Sequence, residues 1–211
     1  MVFVKALCGG LGQNIFNPAL AARAFMLLIF PVGLTRFEGL DGVTAATPLH
    51  HMVMPALPEE SVLDMFLGNC PGSIGEISAL ALLIGFAYLL LRKIVSIRIP
   101  AAFLGTVTLL SLLFPQGNPP LTWCAAQLCG GGVMLGALFM ATDYVTSPVT
   151  RVGQVIFGIG CGVLTIVIRY FGGYNEGVSY AILVMNACVV LLDRLGRPKK
   201  FGAPRKEAAG K

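Results

Sequence analysis

From Asp41 the chain reads Asp-Gly-Val-Thr-Ala-Ala-Thr-Pro-Leu, which sets Thr44 and Thr47 among small residues, with Pro48 directly after the second hydroxyl. Pro48 biases Thr47 toward an extended backbone, and the small side chains of Ala45 and Ala46 leave the Thr47 hydroxyl open to a large reagent. By turn chemistry alone the same run is an ordinary polar turn. Asn14 and Asn17 lie three residues apart, so both can point to one side of a helix start and offer carboxamide donors and acceptors together. Asn17 ahead of Pro18 is equally a helix N-cap signal.

Ionisable residues within apolar stretches are costly, which marks Arg23, Asp143 and Arg169 as candidates. Arg169 reads as a side chain snorkelling toward headgroups. Asp143, followed by Thr146, Ser147 and Pro148, reads as an interrupted helix with free carbonyls, a cation or cofactor environment, or equally as a cap. His50 and His51 suggest a proton relay, since histidine as a residue type titrates near neutral pH, but adjacent loop histidines ordinarily face water. The six cysteines show no CxxC spacing and no histidine partner, so they read as packing residues, and no metal ligand set or catalytic residue is assigned. Gly130, Gly131, Gly132 and Gly136, like Gly158, Gly160 and Gly162, mark places where helices approach closely; a phosphate loop would need a lysine.

Positioning these groups falls to apolar helices. Of 211 residues 56% are hydrophobic and 12% charged, and the mean hydropathy is +0.81, which excludes a soluble globular enzyme. Windows long enough for the hydrocarbon core recur at Asn17–Leu34, Ile77–Val95, Ile99–Phe114, Thr122–Thr142, Val152–Phe171 and Val178–Leu192. The expectation is an all-α integral membrane protein with about six transmembrane helices in the lipid bilayer. The third window is short and bounded by Pro100 and Pro115, leaving its ends open; the other five are expected as continuous spans. The first residues enter a glycine-rich stretch without the apolar region of a signal peptide.

The expected organisation is a cytoplasmic segment 1–16, a membrane domain 17–193 carrying a long loop 35–76, and a basic tail 194–211. With the tail inside, an alternating path places Lys5, Arg92, Lys93, Arg98 and Arg151 inside too, twelve of the fifteen basic residues in all. The loop, with six acidic residues and one basic, falls outside. The net charge of +5 thus reads as a topology marker, with no basic face for nucleic acid.

The Asp41–Thr47 run resembles the flavinylation motif Asp-Gly-x-Ser/Thr-x-Ala-Thr, whose last threonine is esterified to the phosphate of FMN. Gly9–Ala19 (GGLGQNIFNPA), Gly75–Leu80 (GEISAL), Met140–Pro148 (MATDYVTSP) and Gly172–Asn186 (GGYNEGVSYAILVMN) extend the likeness. From about Lys5 to Arg194 the chain resembles the RnfD family of Rnf electron-transport complexes, and more distantly the NqrB component of sodium-translocating NADH:quinone reductases. That resemblance implies covalent FMN on Thr47, with Asp41, Gly42 and Thr44 in the recognised segment, installed by an extracytoplasmic flavin transferase. It implies non-covalent riboflavin near Asn14 and Asn17, whose carboxamides suit the carbonyl and imide edge of an isoalloxazine; Arg23 would snorkel inward or help neutralise a flavin anion. It implies a prokaryotic cytoplasmic membrane and a redox component of a translocase, partnered by other Rnf subunits that couple ferredoxin and NAD chemistry to Na+ or H+ movement. Family members resemble ten-helix bundles of two inverted halves, so this chain is expected to match the C-terminal part, without the first four helices. No dinucleotide fingerprint or cluster-ligating cysteine pattern occurs, so NAD and ferredoxin sites fall to other subunits. The competing readings are a small-solute channel or transporter without redox activity, and a flavin-free assembly component.

Overall fold

The computed structural model describes residues 14–30, 37–38, 44–45, 57–58, 61–70, 72, 75, 77–172 and 177–195. Helix α1 (Pro18–Ile29) starts where Asn17, in an extended conformation, accepts the backbone N–H of Ala19 at 3.0 Å, with Pro18 preset for the first turn. Two short strands, β1 (Phe37–Glu38) and β2 (Thr44–Ala45), pair antiparallel with Glu38 opposite Thr44. Within the long loop, α2 (Val62–Leu67) forms as a helix that the periodicity did not anticipate. Ser61 caps it by accepting the Asp64 N–H at 3.2 Å while its hydroxyl donates to the Asp64 carboxylate, and Gly68 closes it at φ 101°, where an added Cβ would also lie 2.9 Å from the Ser78 Cβ.

The apolar windows continue as α3 (Ala79–Leu91), α4 (Arg98–Leu113), α5 (Pro120–Cys129), α6 (Val133–Leu135), α7 (Arg151–Phe171) and α8 (Val178–Leu195). Pro100 falls in the first turn of α4, where its missing N–H removes no helical hydrogen bond, and the helix stops ahead of Pro115. By length and composition α7 and α8 can each cross a membrane. The fourth window is not the continuous span expected: α5 breaks at Gly130–Gly132, with Gly131 and Gly132 at φ 63° and 70°, and the chain resumes as α6 running into a π-helical segment, Gly136–Met140. The halves meet at 64°, so they count as one bent span or a re-entrant loop. Two successive left-handed residues are strained for any side chain except glycine's hydrogen, which explains the break.

Helices α4 and α7 pack in parallel, and glycine permits it: a Cβ on Gly158 would lie 2.7 Å from the Ala102 Cβ, and one on Gly162 2.7 Å from the Thr106 Cβ. The close-approach reading of these two glycines is thus borne out. Antiparallel to α7, α8 brings Leu192 beside Gly153 and Met185 beside Gly160. Phe103, Val107, Phe157, Cys161 and Ile182 fill the core between them. Cys124 and Cys161 are buried, as the packing reading expects. Helix hydroxyls bond back to their own chain, Thr106 to Ala102, Thr108 to Leu104 and Thr165 to Cys161, which satisfies them without water.

Candidate functional site

Polar side chains gather at the two ends of this bundle. At one end Asp193, near the close of α8, accepts the backbone N–H groups of Val149 (2.9 Å) and Thr150 (3.2 Å) and the Thr150 hydroxyl, at the start of α7. A carboxylate there meets unsatisfied donors and the positive end of the helix dipole. Gln154 accepts from Ser96 and Arg98 and donates to the Pro148 carbonyl, tying the α3–α4 turn to the same end. Asp143 settles as a turn: its carboxylate accepts the Val145 N–H at 3.4 Å and the Thr146 hydroxyl at 3.1 Å. Of its two readings the cap accounts for these bonds. Asn186 is buried with its carboxamide against the carbonyls of Thr146 (3.2 Å) and Ile182 (3.3 Å), two acceptors that its amide nitrogen satisfies once that group is turned toward them.

At the other end, Trp123 of α5, Tyr170 of α7 and the α4 terminus meet. Met65 of α2 is buried against Trp123 and Ala126, with Cys70 and Cys129 beside them, so α2 docks here. It lies opposite the end that carries Arg98, Arg151 and Asp193.

Arg169 departs from the sequence expectation. It does not snorkel: with 5% of its surface exposed it turns into the break between α5 and α6. Nη1 donates to the Gln127 carbonyl (2.9 Å) and Gln127 Oε1 (2.6 Å), and Nη2 to the carbonyls of Gly130 (3.0 Å) and Gly131 (3.1 Å). The reason is local: carbonyls freed by the break need donors where water is scarce, and the last turn of α5 presents the negative end of its dipole. Sequence reasoning missed Gln127 as a partner, although an amide just ahead of three glycines in an apolar window was a usable signal.

The remaining candidates divide sharply. Asn17 is occupied as the α1 cap, with Oδ1 accepting from Ala19 and, at 3.5 Å, Leu20. Asn14 stands apart: its Oδ1 is buried and takes no hydrogen bond from the described residues. A buried acceptor of this kind fits a flavin imide N–H, the group that the resemblance implies at this position. Thr44 opens β2, whereas Asp41, Gly42, Thr47, His50 and His51 lie outside the described residues. Near the start of α3 an open depression of about 310 Å³ is lined by Ile77, Ser78, Ala81, Leu82 and Phe139.

Known proteins resemble this chain along almost its whole length. The family described as NQR2, RnfD, RnfE matches residues 1–202. The chain is 47% identical to the D subunit of the Na(+)-translocating ferredoxin:NAD(+) oxidoreductase complex of Acetobacterium woodii, over 97% of this chain and 64% of that protein. It is 41% identical to the D subunit of the proton-translocating ferredoxin:NAD(+) oxidoreductase complex of Clostridium ljungdahlii, over 97% of this chain and 66% of that protein. Against the D subunit of the ion-translocating oxidoreductase complex of Stutzerimonas stutzeri the identity is 40%, over 94% and 66%. The chain thus spans just under two thirds of the length of these relatives. With helices suited to crossing a bilayer and a family match over nearly every residue, this is a membrane protein of the NQR2, RnfD, RnfE family.

Proposed function

We propose that this chain is a membrane electron-transfer component of an Rnf-type complex in a bacterial cytoplasmic membrane, carrying FMN as a phosphoester on Thr47. The observation that carries the reading is the Asp41–Thr47 run in a chain 47% identical to the D subunit of a ferredoxin:NAD(+) oxidoreductase complex. In this reading six apolar segments cross the membrane, matching the C-terminal part of an inverted-repeat bundle, with the Thr47 loop outside and the C terminus inside. The ester oxygen is Thr47 Oγ1; Thr44, Gly42 and Asp41 serve recognition by an extracytoplasmic flavin transferase. A covalent tether suits an exposed loop, because it raises the local concentration of a cofactor that loop contacts would hold weakly.

Flavin supplies the one- and two-electron chemistry, and the protein fixes its place and surroundings. β1 pairs with β2, and Thr44 of the recognised segment opens β2. The buried Asn14 oxygen supports a second, non-covalent riboflavin, held by a hydrogen bond to that acceptor. Ferredoxin and NAD belong to partner subunits, and the coupled cation is Na+ or H+. A solute-channel reading draws on the bent fourth span, but that break is filled by Arg169.

The test is to express the chain with the transferase and look for in-gel flavin fluorescence under denaturing conditions. Wild type and Thr44→Ala are compared with Thr47→Ala, which is expected to be dark. Fluorescence surviving in Thr47→Ala, or an FMN-bearing peptide mapping elsewhere, overturns the assignment.

A further inference from the structure

We propose that the end of the bundle carrying the α3–α4 turn binds the headgroup phosphates of anionic phospholipids. Among the described residues five exposed cations gather there: Arg92 and Lys93 at the close of α3, Arg98 opening α4, Arg151 opening α7 and Arg194 in the last turn of α8. Hydrogen bonds draw these helix ends onto one surface. Gln154 of α7 meets Ser96 and Arg98 of the α3–α4 turn, and Asp193 of α8 holds Val149 and Thr150 at the start of α7. Asp143 and Asp193 share this end, but their oxygens are taken by Val145 and Thr146 and by Val149 and Thr150. Arg98 bonds to the neutral Gln154 oxygen, at 3.2 Å.

Lys93 marks this surface as more than charge sorted to one side. It stands at φ 55°, the left-handed position of a Schellman ending: its N–H bonds to the Leu90 carbonyl (2.9 Å) and that of Ile94 to the Leu89 carbonyl (3.1 Å). Glycine fits there without strain, whereas lysine sits against the clash of its Cβ. A charge kept at a strained backbone position points to a binding role. The other four cations are arginines, whose planar forks match phosphate oxygens two at a time; keeping a loop on one side needs only the charge that lysine supplies equally. Exposed aliphatic side chains lie between the cations, Ile94 and Ile97 between Lys93 and Arg98, and Val152 after Arg151. That layering suits the boundary of acyl chains and headgroups, where apolar side chains rest on lipid while cations reach phosphate. None of these residues enters the flavin assignment.

The test heats the assembled complex in detergent with added lipid and follows the temperature at which this chain leaves solution. Phosphatidylglycerol is expected to raise that temperature by about 3 to 5 °C over phosphatidylcholine in the wild type. A variant combining Arg92→Gln, Arg151→Gln and Arg194→Gln, which leaves the Arg98–Gln154 bond in place, is expected to lose most of the shift while melting as wild type does in phosphatidylcholine. Lys93→Gly is expected to melt higher than wild type in phosphatidylcholine and to gain less from phosphatidylglycerol, a combination that a merely structural lysine would not give. An equal shift in the combined variant, no difference between the two lipids, or the same shift from inorganic phosphate overturns the proposal. Loss of a partner subunit from the combined variant with the lipid response unchanged also overturns it, and assigns the surface to a protein. Should the combined variant not accumulate, Lys93→Gly decides: a shift equal to that of wild type overturns the proposal, and a smaller one supports it.

Discussion

Tyr170 and Trp123 are joined by a hydrogen bond of 2.9 Å from the indole Nε1 to the phenol oxygen, and Tyr170 passes its own proton on to the Phe114 carbonyl at 3.0 Å. One hydroxyl thereby locks α5, α7 and the end of α4 together. Trp123 is fully buried, and Met65 of α2 rests against it. The next residue before Tyr170 is Arg169, so two consecutive side chains of α7 hold both the start and the broken end of α5.

Replacing Tyr170 with Phe strands a buried indole N–H. The expected cost is about 1 to 3 kcal/mol. Since Trp123 is the one tryptophan of the chain, its emission reports on this contact directly. Thermal denaturation and Trp123 emission of the purified protein check the expectation, and unchanged values for both count against the bridge.

Gly162 faces Thr106 with no room for a methyl group. Gly162→Ala is expected to destabilise by about 1 to 3 kcal/mol through overpacking of α4 against α7. Gly105, on α4, has nothing within 4 Å of an added Cβ, so Gly105→Ala is the matched control and is expected to be neutral or slightly stabilising. Equal effects of the two substitutions on denaturation would show that the close approach is not what glycine serves.

Asn14 and Asn17 separate by role. Asn17→Ala removes the α1 cap and is expected to cost about 1 kcal/mol, whereas Asn17→Ser keeps the cap and loses only the carboxamide. The double replacement Asn14→Leu with Asn17→Leu is expected to abolish non-covalent riboflavin and leave covalent FMN in place. Acid extraction followed by chromatography measures each pool; unchanged riboflavin in an assembled double variant rejects the site.

Topology is open to a direct check. Reporter fusions after Leu57 and at the C terminus are expected to report opposite sides, the former outside and the latter inside, from the distribution of basic residues. Equal cytoplasmic signals from both fusions defeat the orientation.

Hydropathy was enough to locate the long helices, because burying a helix in hydrocarbon demands a run of apolar residues wherever it packs. The windows at Ile99–Phe114, Val152–Phe171 and Val178–Leu192 fall on α4, α7 and α8 with small shifts at the ends. Local chemistry was equally legible at Asn17, where cap and proline act within one turn, and at Gly158 and Gly162, whose spacing of four places both on one face. Gly130, Gly131 and Gly132 advertised a close approach, but composition could not separate a tight crossing from a broken helix, since glycine permits both. The fate of Arg169 was decided by tertiary structure alone. Whether a cation near a helix end reaches outward to headgroups or inward to carbonyls depends on what stands beside it, and Gln127 and the two glycine carbonyls come from a helix some forty residues away. A sequence carries each group's capacity to donate or accept; only packing brings donor and acceptor within 3 Å.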